Sequence, residues 1–167
     1  MKKYCLDTSG LSNPLEAMPE DIHVTLWEAV QAKIVAGEIA VTAEILGEMK
    51  HIEGAIGDCL KGNEGGLLLE VNGTDWPVAD YIEHATRMQV DHAKFIRENL
   101  NMKKGTIGMN DLSIIALAKA MALPVISMEK RKAHQTDKAR QIPDICDIES
   151  VPHMTFSDFL RAEGIKV

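Results

Sequence analysis

Short apolar runs separated by amphipathic patterns constrain this chain more than any other feature. Tyr4-Cys5-Leu6, Ile39-Ala40-Val41 and Pro124-Val125-Ile126-Ser127 are bounded by turn formers, and runs this short read as buried strands. Helical patterns lie between them. Ser12 to Met18 reads as a helical turn closed by Pro19. Asp21 to Ala36 carries a stripe of Leu26, Val30 and Ile34 with Trp27 beside it, and Gly37 stops it. Thr42 is an N-cap for a helix from about Ala43 to Leu60, in which Ile45, Met49, Ile52 and Ile56 share one face. The pattern over 75–100 holds no single stripe, so it fits two helices or a kinked one. A helix from about Asn110 to Ala122 precedes the strand at 124–127. Pro143 to Cys146 reads as a last short strand, and Thr155 to Ala162 as a closing helix ended by Gly164. Such alternation predicts an α/β fold, a mostly parallel central sheet with helices on both faces. The 167 residues fit one domain carrying a largely helical insert at about 62–104, which opens on the glycine-rich stretch Gly62 to Gly66.

Composition excludes several classes. The net charge of -7 argues against a general DNA- or membrane-coating protein. It leaves room for a nucleic-acid enzyme, which concentrates acids at its centre and cations elsewhere. Cys5, Cys59 and Cys146 are far apart and form no zinc spacing, so they read as reduced core thiols of a cytoplasmic protein. Met1-Lys2-Lys3 looks like the start of a signal peptide, but the apolar run behind it is three residues long and ends in Asp7. No apolar stretch is long enough to span a bilayer.

In a parallel sheet the carboxyl ends of strands and the amino ends of helices lie on one edge, where ligands bind. Four acids fall there. Asp7 follows the first strand and Glu129 the strand at 124–127. Asp111 begins the helix after the insert, on the face it shares with Ile115, Ala118 and Ala122. Glu48 lies ~60° from the centre of its helix's apolar stripe, at ~100° per residue. Each has a plainer reading: Asp7 as a helix cap, Glu48 as an exposed glutamate, and Asp111 as an acid favoured by the helix dipole. With Asn110 able to cap that helix, Asp111 is free for another task. Together, carboxylates on one edge repel one another unless a cation neutralises them. Oxygen ligands suit Mg²⁺ or Mn²⁺, and such an ion can activate water and stabilise a phosphoryl oxygen. The reaction implied is phosphodiester hydrolysis. From Lys130 to Arg140 the chain carries five cations (Lys130, Arg131, Lys132, Lys138 and Arg140) against Asp137 alone. A charge run is ordinarily a solvated face, but beside a carboxylate site it is a candidate phosphate-backbone contact.

Four short pieces in order, Tyr4 to Ser9, Thr42 with Glu48, Asn110 to Ala118 and Val125 to Glu129, resemble the PIN-domain nucleases, which include the VapC-type toxin ribonucleases. The tail, Ile142 to Cys146 and Phe159 to Ile165, resembles a PIN-like branch of unknown function. The resemblance implies a three-layer fold, with Asp7, Glu48 and Asp111 as metal ligands and Glu129 as the fourth acid. Ser9, Asn110 and Ser127 would support them. It implies cleavage of single-stranded RNA with Mg²⁺ or Mn²⁺, an antitoxin partner and a possible homodimer. The family generally carries Asp where this chain has Glu129. A catalytically weak PIN-like protein that binds RNA or a partner protein is the alternative. Leu6-Asp7-Thr8-Ser9-Gly10 has no second copy to make an aspartic protease. The spacings Glu20-x-x-His23 and Glu48-x-x-His51 lack the four long helices of a di-iron bundle.

Overall fold

A computed structural model describes residues 1–69, 74, 76–102, 106–132 and 139–166. Among them, four strands form one wholly parallel sheet: β1 (Tyr4–Leu6), β2 (Ile39–Ala40), β3 (Val125–Ile126) and β4 (His153–Met154), in the order β2-β1-β3-β4. The register pairs Tyr4 with Ile39, Cys5 with Val125, and Ile126 with Met154. The chain winds from β1 to β2 on one side and returns to β3 and β4 on the other. The switch point, where open parallel sheets bind ligands, is therefore the gap between the carboxyl ends of β1 and β3.

Helices cover the sheet on both sides. α1 (Ser9–Ala17), α2 (Val24–Val35) and α9 (Phe156–Ala162) bring Leu11, Val30, Ile34, Phe156 and Phe159 onto Leu6, Ile39 and Ile126. α7 (Met109–Met121) packs on β1 from the opposite layer. Around it stand α3 (Ala43–Met49), α6 (Val78–Asp91) and α8 (Ile142–Glu149). The three-layer α/β architecture read from the sequence is the one observed. One hydrophobic core runs through it, from Cys5 and Trp27 to Met88 and Phe95. Cys5 and Cys146 are buried and all three cysteines are free, and burial pushes the Cys146 thiol up to about 12. Among the described residues no helix is long and apolar enough to cross a membrane.

Three element assignments differ from the sequence reading. The helix expected over 43–60 breaks into α3 and α4 (Gly54–Gly62). Gly54 sits at φ +80°, a conformation that favours glycine, and Glu20 caps α4 by accepting from the Ala55 and Ile56 amides (3.0 and 2.6 Å). The stripe Ile45-Met49-Ile52-Ile56 spans the break because both helices face the same core. Pro143 to Cys146 is helical, lying within α8. Ile142, Ile145, Cys146 and Glu149 are spaced i, i+3, i+4, i+7, Pro143 fits the first turn, and Asp144 accepts from the Gln141 amide (2.9 Å). The last strand is β4 instead, too short to signal itself. The pattern over 75–100 resolves into α6 followed by two 3₁₀ turns, Ala93–Phe95 and Arg97–Leu100. Earlier in the insert is the single turn α5 (Glu64–Leu67), after which Leu68 bridges Val41.

Charge fastens α6 to α7 and α8. Glu149 of α8, only 5% exposed, accepts from Arg87 of α6 twice (3.0 and 2.6 Å), faces His92 at 2.8 Å and receives Lys119 of α7 at 3.2 Å. Burial pushes Glu149 up, but Arg87, His92 and Lys119 outweigh it and hold the carboxyl down at about 2.

Gly10 sets how closely α1 can approach the sheet. A Cβ there would meet the Ile126 carbonyl oxygen at 2.6 Å and Leu6 at 3.0 Å. Both neighbours belong to the strands that flank the switch point, so neither gives way freely. Gly10→Ala is expected to destabilise the fold by about 1–3 kcal/mol, the usual range for overpacking. Urea unfolding measures it, and a loss under 0.5 kcal/mol would contradict the close approach described here.

Candidate active site

Asp7, Glu48, Asp111 and Glu129 all reach the switch-point edge. Asp7 leaves β1 with 3% of its surface exposed. Its Oδ2 accepts from the Ser9 amide (2.9 Å) and the Ser9 hydroxyl (2.5 Å). The same hydroxyl accepts from the Met128 amide at 3.1 Å, so one side chain links the ends of β1 and β3. Burial pushes the Asp7 carboxyl above the ordinary range, Ser9 opposes the shift, and Glu48 adds to it.

Glu48 is exposed and held from two sides. The Thr8 hydroxyl donates to Oε2 (2.8 Å) and the Asn110 amide to Oε1 (2.7 Å). Asn110 therefore orients Glu48 and does not cap α7. The capping contact falls to Asp111, whose Oδ2 accepts from the Gly108 amide at 2.7 Å. The helix-start reading and the site reading of Asp111 thus hold together. Asp111 is 8% exposed, and burial, then the charge of Asp7, pushes it up to about 7. Glu129 adds to that shift, while the Gly108 amide and Arg97 oppose it. Glu129 accepts from the Ile142 amide at the start of α8 (2.8 Å). It too is raised, by burial first and also by Asp7.

The supporting residues divide. Ser9 and Asn110 touch the acids. Ser127 is fully buried and its hydroxyl meets His153 of β4 at 2.8 Å, so it ties β3 to β4. The basic run disperses as well. Arg131 donates to Asp147 twice (2.7 and 2.9 Å). Arg140 lies over the Phe95 ring at 5.2 Å and lines a cleft of about 640 Å³ with Arg87, Lys94 and Lys119. None of the four acids lines that cleft. Lys130 is exposed, the Lys132 amide bonds Asp144, and Lys138 falls outside the described residues.

Two residues that the sequence did not single out matter here. Asp144 holds both the Lys132 and Gln141 amides. Arg97, from the second 3₁₀ turn, donates to Asp111 Oδ2 at 2.8 Å. Asp144 was legible as an acid in the first turn of a helix, had that helix been read; nothing in spacing marks Arg97.

The donor set is all oxygen, three of its four acids are raised chiefly by burial, and the acids repel one another, which fits a hard divalent cation. The side chains as they stand do not close around one: among the described residues, no three His, Cys, Asp or Glu groups are arranged to hold a metal ion. Arg97 and the Gly108 amide both occupy Asp111 Oδ2, and Thr8 and Asn110 each occupy one oxygen of Glu48.

Residues 4–167 match a family described as a domain of unknown function, DUF4411. The chain belongs to that family. No curated protein matches it. Among solved structures it is similar to DNA-bound VapBC from Salmonella typhimurium, at 15% identity over 84% of this chain and 97% of that one, with a TM-score of 0.43. A VapBC family member from Mycobacterium tuberculosis, VapBC-5, is 19% identical over 84% and 96% of the two chains, with a TM-score of 0.38.

The raised Asp111 gives the metal-free protein a definite pH dependence. Its folded value of about 7 lies above an unfolded value near ~4, so the folded state binds the extra proton. The stabilisation is complete below about pH 4 and is lost as pH rises through 7. Asp111→Asn is expected to flatten the decline in melting temperature between pH 4 and 8 in chelator. An unchanged slope would show that Asp111 is ionised throughout.

Proposed function

We propose that this chain is a PIN-like, metal-dependent endoribonuclease, the toxin of a toxin–antitoxin pair, that hydrolyses phosphodiester bonds of single-stranded RNA in the cytoplasm. The observation that carries this is the cluster of Asp7, Asp111 and Glu129 at the switch point, all raised chiefly by burial, with the charge of Asp7 raising Asp111 and Glu129 further and that of Glu48 raising Asp7. Asp7 and Asp111 would hold Mg²⁺ or Mn²⁺, with Glu48 completing the set and Glu129 beside it. The bound cation would supply an activated water and neutralise charge on the phosphoryl oxygen. Ser9 orients Asp7, and Asn110 and Thr8 orient Glu48, so two ligands are held before substrate arrives. Glu129 keeps one oxygen on the Ile142 amide, which makes it a positioned proton acceptor as much as a ligand. Lys130, exposed and next to Glu129, is the cation of the basic run best placed for RNA phosphates, since Arg131 is taken up by Asp147 and Arg140 lines the cleft that the four acids do not reach. An antitoxin protein and a second copy of the chain are the partners this reading carries.

A second reading is favoured by one observation, that the acids do not close around an ion as they stand. It makes the protein a catalytically weak PIN-like binder of RNA or of a partner protein. A single assay separates the two. With Mg²⁺ or Mn²⁺, the nuclease is expected to cleave single-stranded RNA, and Asp7→Asn to reduce cleavage to the level seen in chelator. Cleavage that survives Asp7→Asn would overturn the assignment. RNA binding in chelator, with no metal-dependent cleavage, would favour the binder.

A further inference from the structure

Arg97 is the one cation among the described residues that contacts the acid cluster. Its Nη2 donates to Asp111 Oδ2, and its charge bears on Glu129 as well. The approach is built into the fold. The Arg97 amide donates to the Ile107 carbonyl (2.7 Å), and the Ile107 amide to the Phe95 carbonyl (3.1 Å). This ladder fixes the 3₁₀ turn beside the start of α7. The guanidinium then lies against Gly108, where a Cβ would stand 3.2 Å from Nε and 3.3 Å from Cζ. Nε is buried there with no hydrogen-bond partner.

We propose that Arg97 is a positioning residue that holds Asp111 in the metal-free chain and competes with the divalent cation for it. This rests on the metal-site reading above. Asp111 Oδ2 already takes two donors, Arg97 and Gly108. The guanidinium and a divalent cation at the same carboxylate would set +1 against +2 at close range, which is strongly repulsive at any interior dielectric. The pair is not sealed: the Arg97 side chain is 35% exposed, so it can swing toward solvent when a cation displaces it. Arg97 thereby sets how readily the site loads, a role that the sequence pattern around it gives no hint of.

The test is a Mn²⁺ titration of the intact protein at pH 8, without RNA, followed by calorimetry and by the paramagnetic resonance of free Mn²⁺. Arg97→Ala is expected to bind Mn²⁺ at least about tenfold more tightly than the unaltered chain, since it removes a unit charge beside the ion. Arg97→Lys, which keeps the charge without the planar fork, is expected to return most of the way to the original affinity. Arg161→Ala, which removes an exposed cation paired with Asp158 on α9, is expected to leave it unchanged. Equal or weaker Mn²⁺ binding by Arg97→Ala would overturn the proposal while leaving the metal site standing. Absence of Mn²⁺ binding by every variant would instead remove the metal-site reading and this proposal with it. If Arg97→Ala fails to fold, Arg97→Met keeps the stem of the side chain and carries the same expectation.

Discussion

Burying a carboxylate at the end of the central strand is the constraint around which this molecule is arranged. An ionised acid taken out of water is costly unless hydrogen bonds or an opposite charge replace the lost hydration. Asp7 receives its replacement from Ser9, and Ser9 in turn needs the Met128 amide, which follows β3. The contact works only if β1 and β3 are neighbours in parallel, and only if α1 lies close enough to present Ser9, which the bare backbone of Gly10 allows. Sheet order, helix approach and site geometry are therefore one solution to one electrostatic problem.

The chain handles its two groups of buried acids in opposite ways. Glu149 is matched by Arg87, His92 and Lys119, and the outcome is a lowered carboxyl and a fixed α6. Asp7, Asp111 and Glu129 at the switch point are raised instead, and among the described residues Arg97 is the one cation paired with any of them. Full compensation suits a structural fastener, whereas a deficit of positive charge on the sheet's ligand-binding edge suits a site that takes up a cation. Neither arrangement could be told from the other by counting charged residues.

Much of this was legible in the sequence, for identifiable reasons. The strands at Tyr4, Ile39 and Val125 show because each is wholly buried and bounded by turn formers. Asp7 and Asp111 stand out because strand ends and helix starts fall on a common edge, and Glu48 because it lies on the shoulder of its helix's apolar stripe. What stayed hidden was set by tertiary contact. The break before Gly54 depends on Glu20 arriving from another segment. β4 has two residues, too few to carry a period. Pro143 to Cys146 is apolar enough to pass for a strand, and only its continuation to Glu149 reveals the helical spacing. Asn110 and Asp111 exchange the roles that their residue types suggest, since either can cap a helix and only the position of Glu48 decides. Arg97 lies in a segment with no regular period at all.

Asp144 has one more consequence. Its carboxylate grips the amide of Lys132 and the amide of Gln141, so the chain departs from and returns to the same pair of oxygens. Glu129 stands three residues before the first of these amides, and the Ile142 amide that it accepts from stands one residue after the second. A single carboxylate therefore ties together the two stretches of backbone that set the position of Glu129.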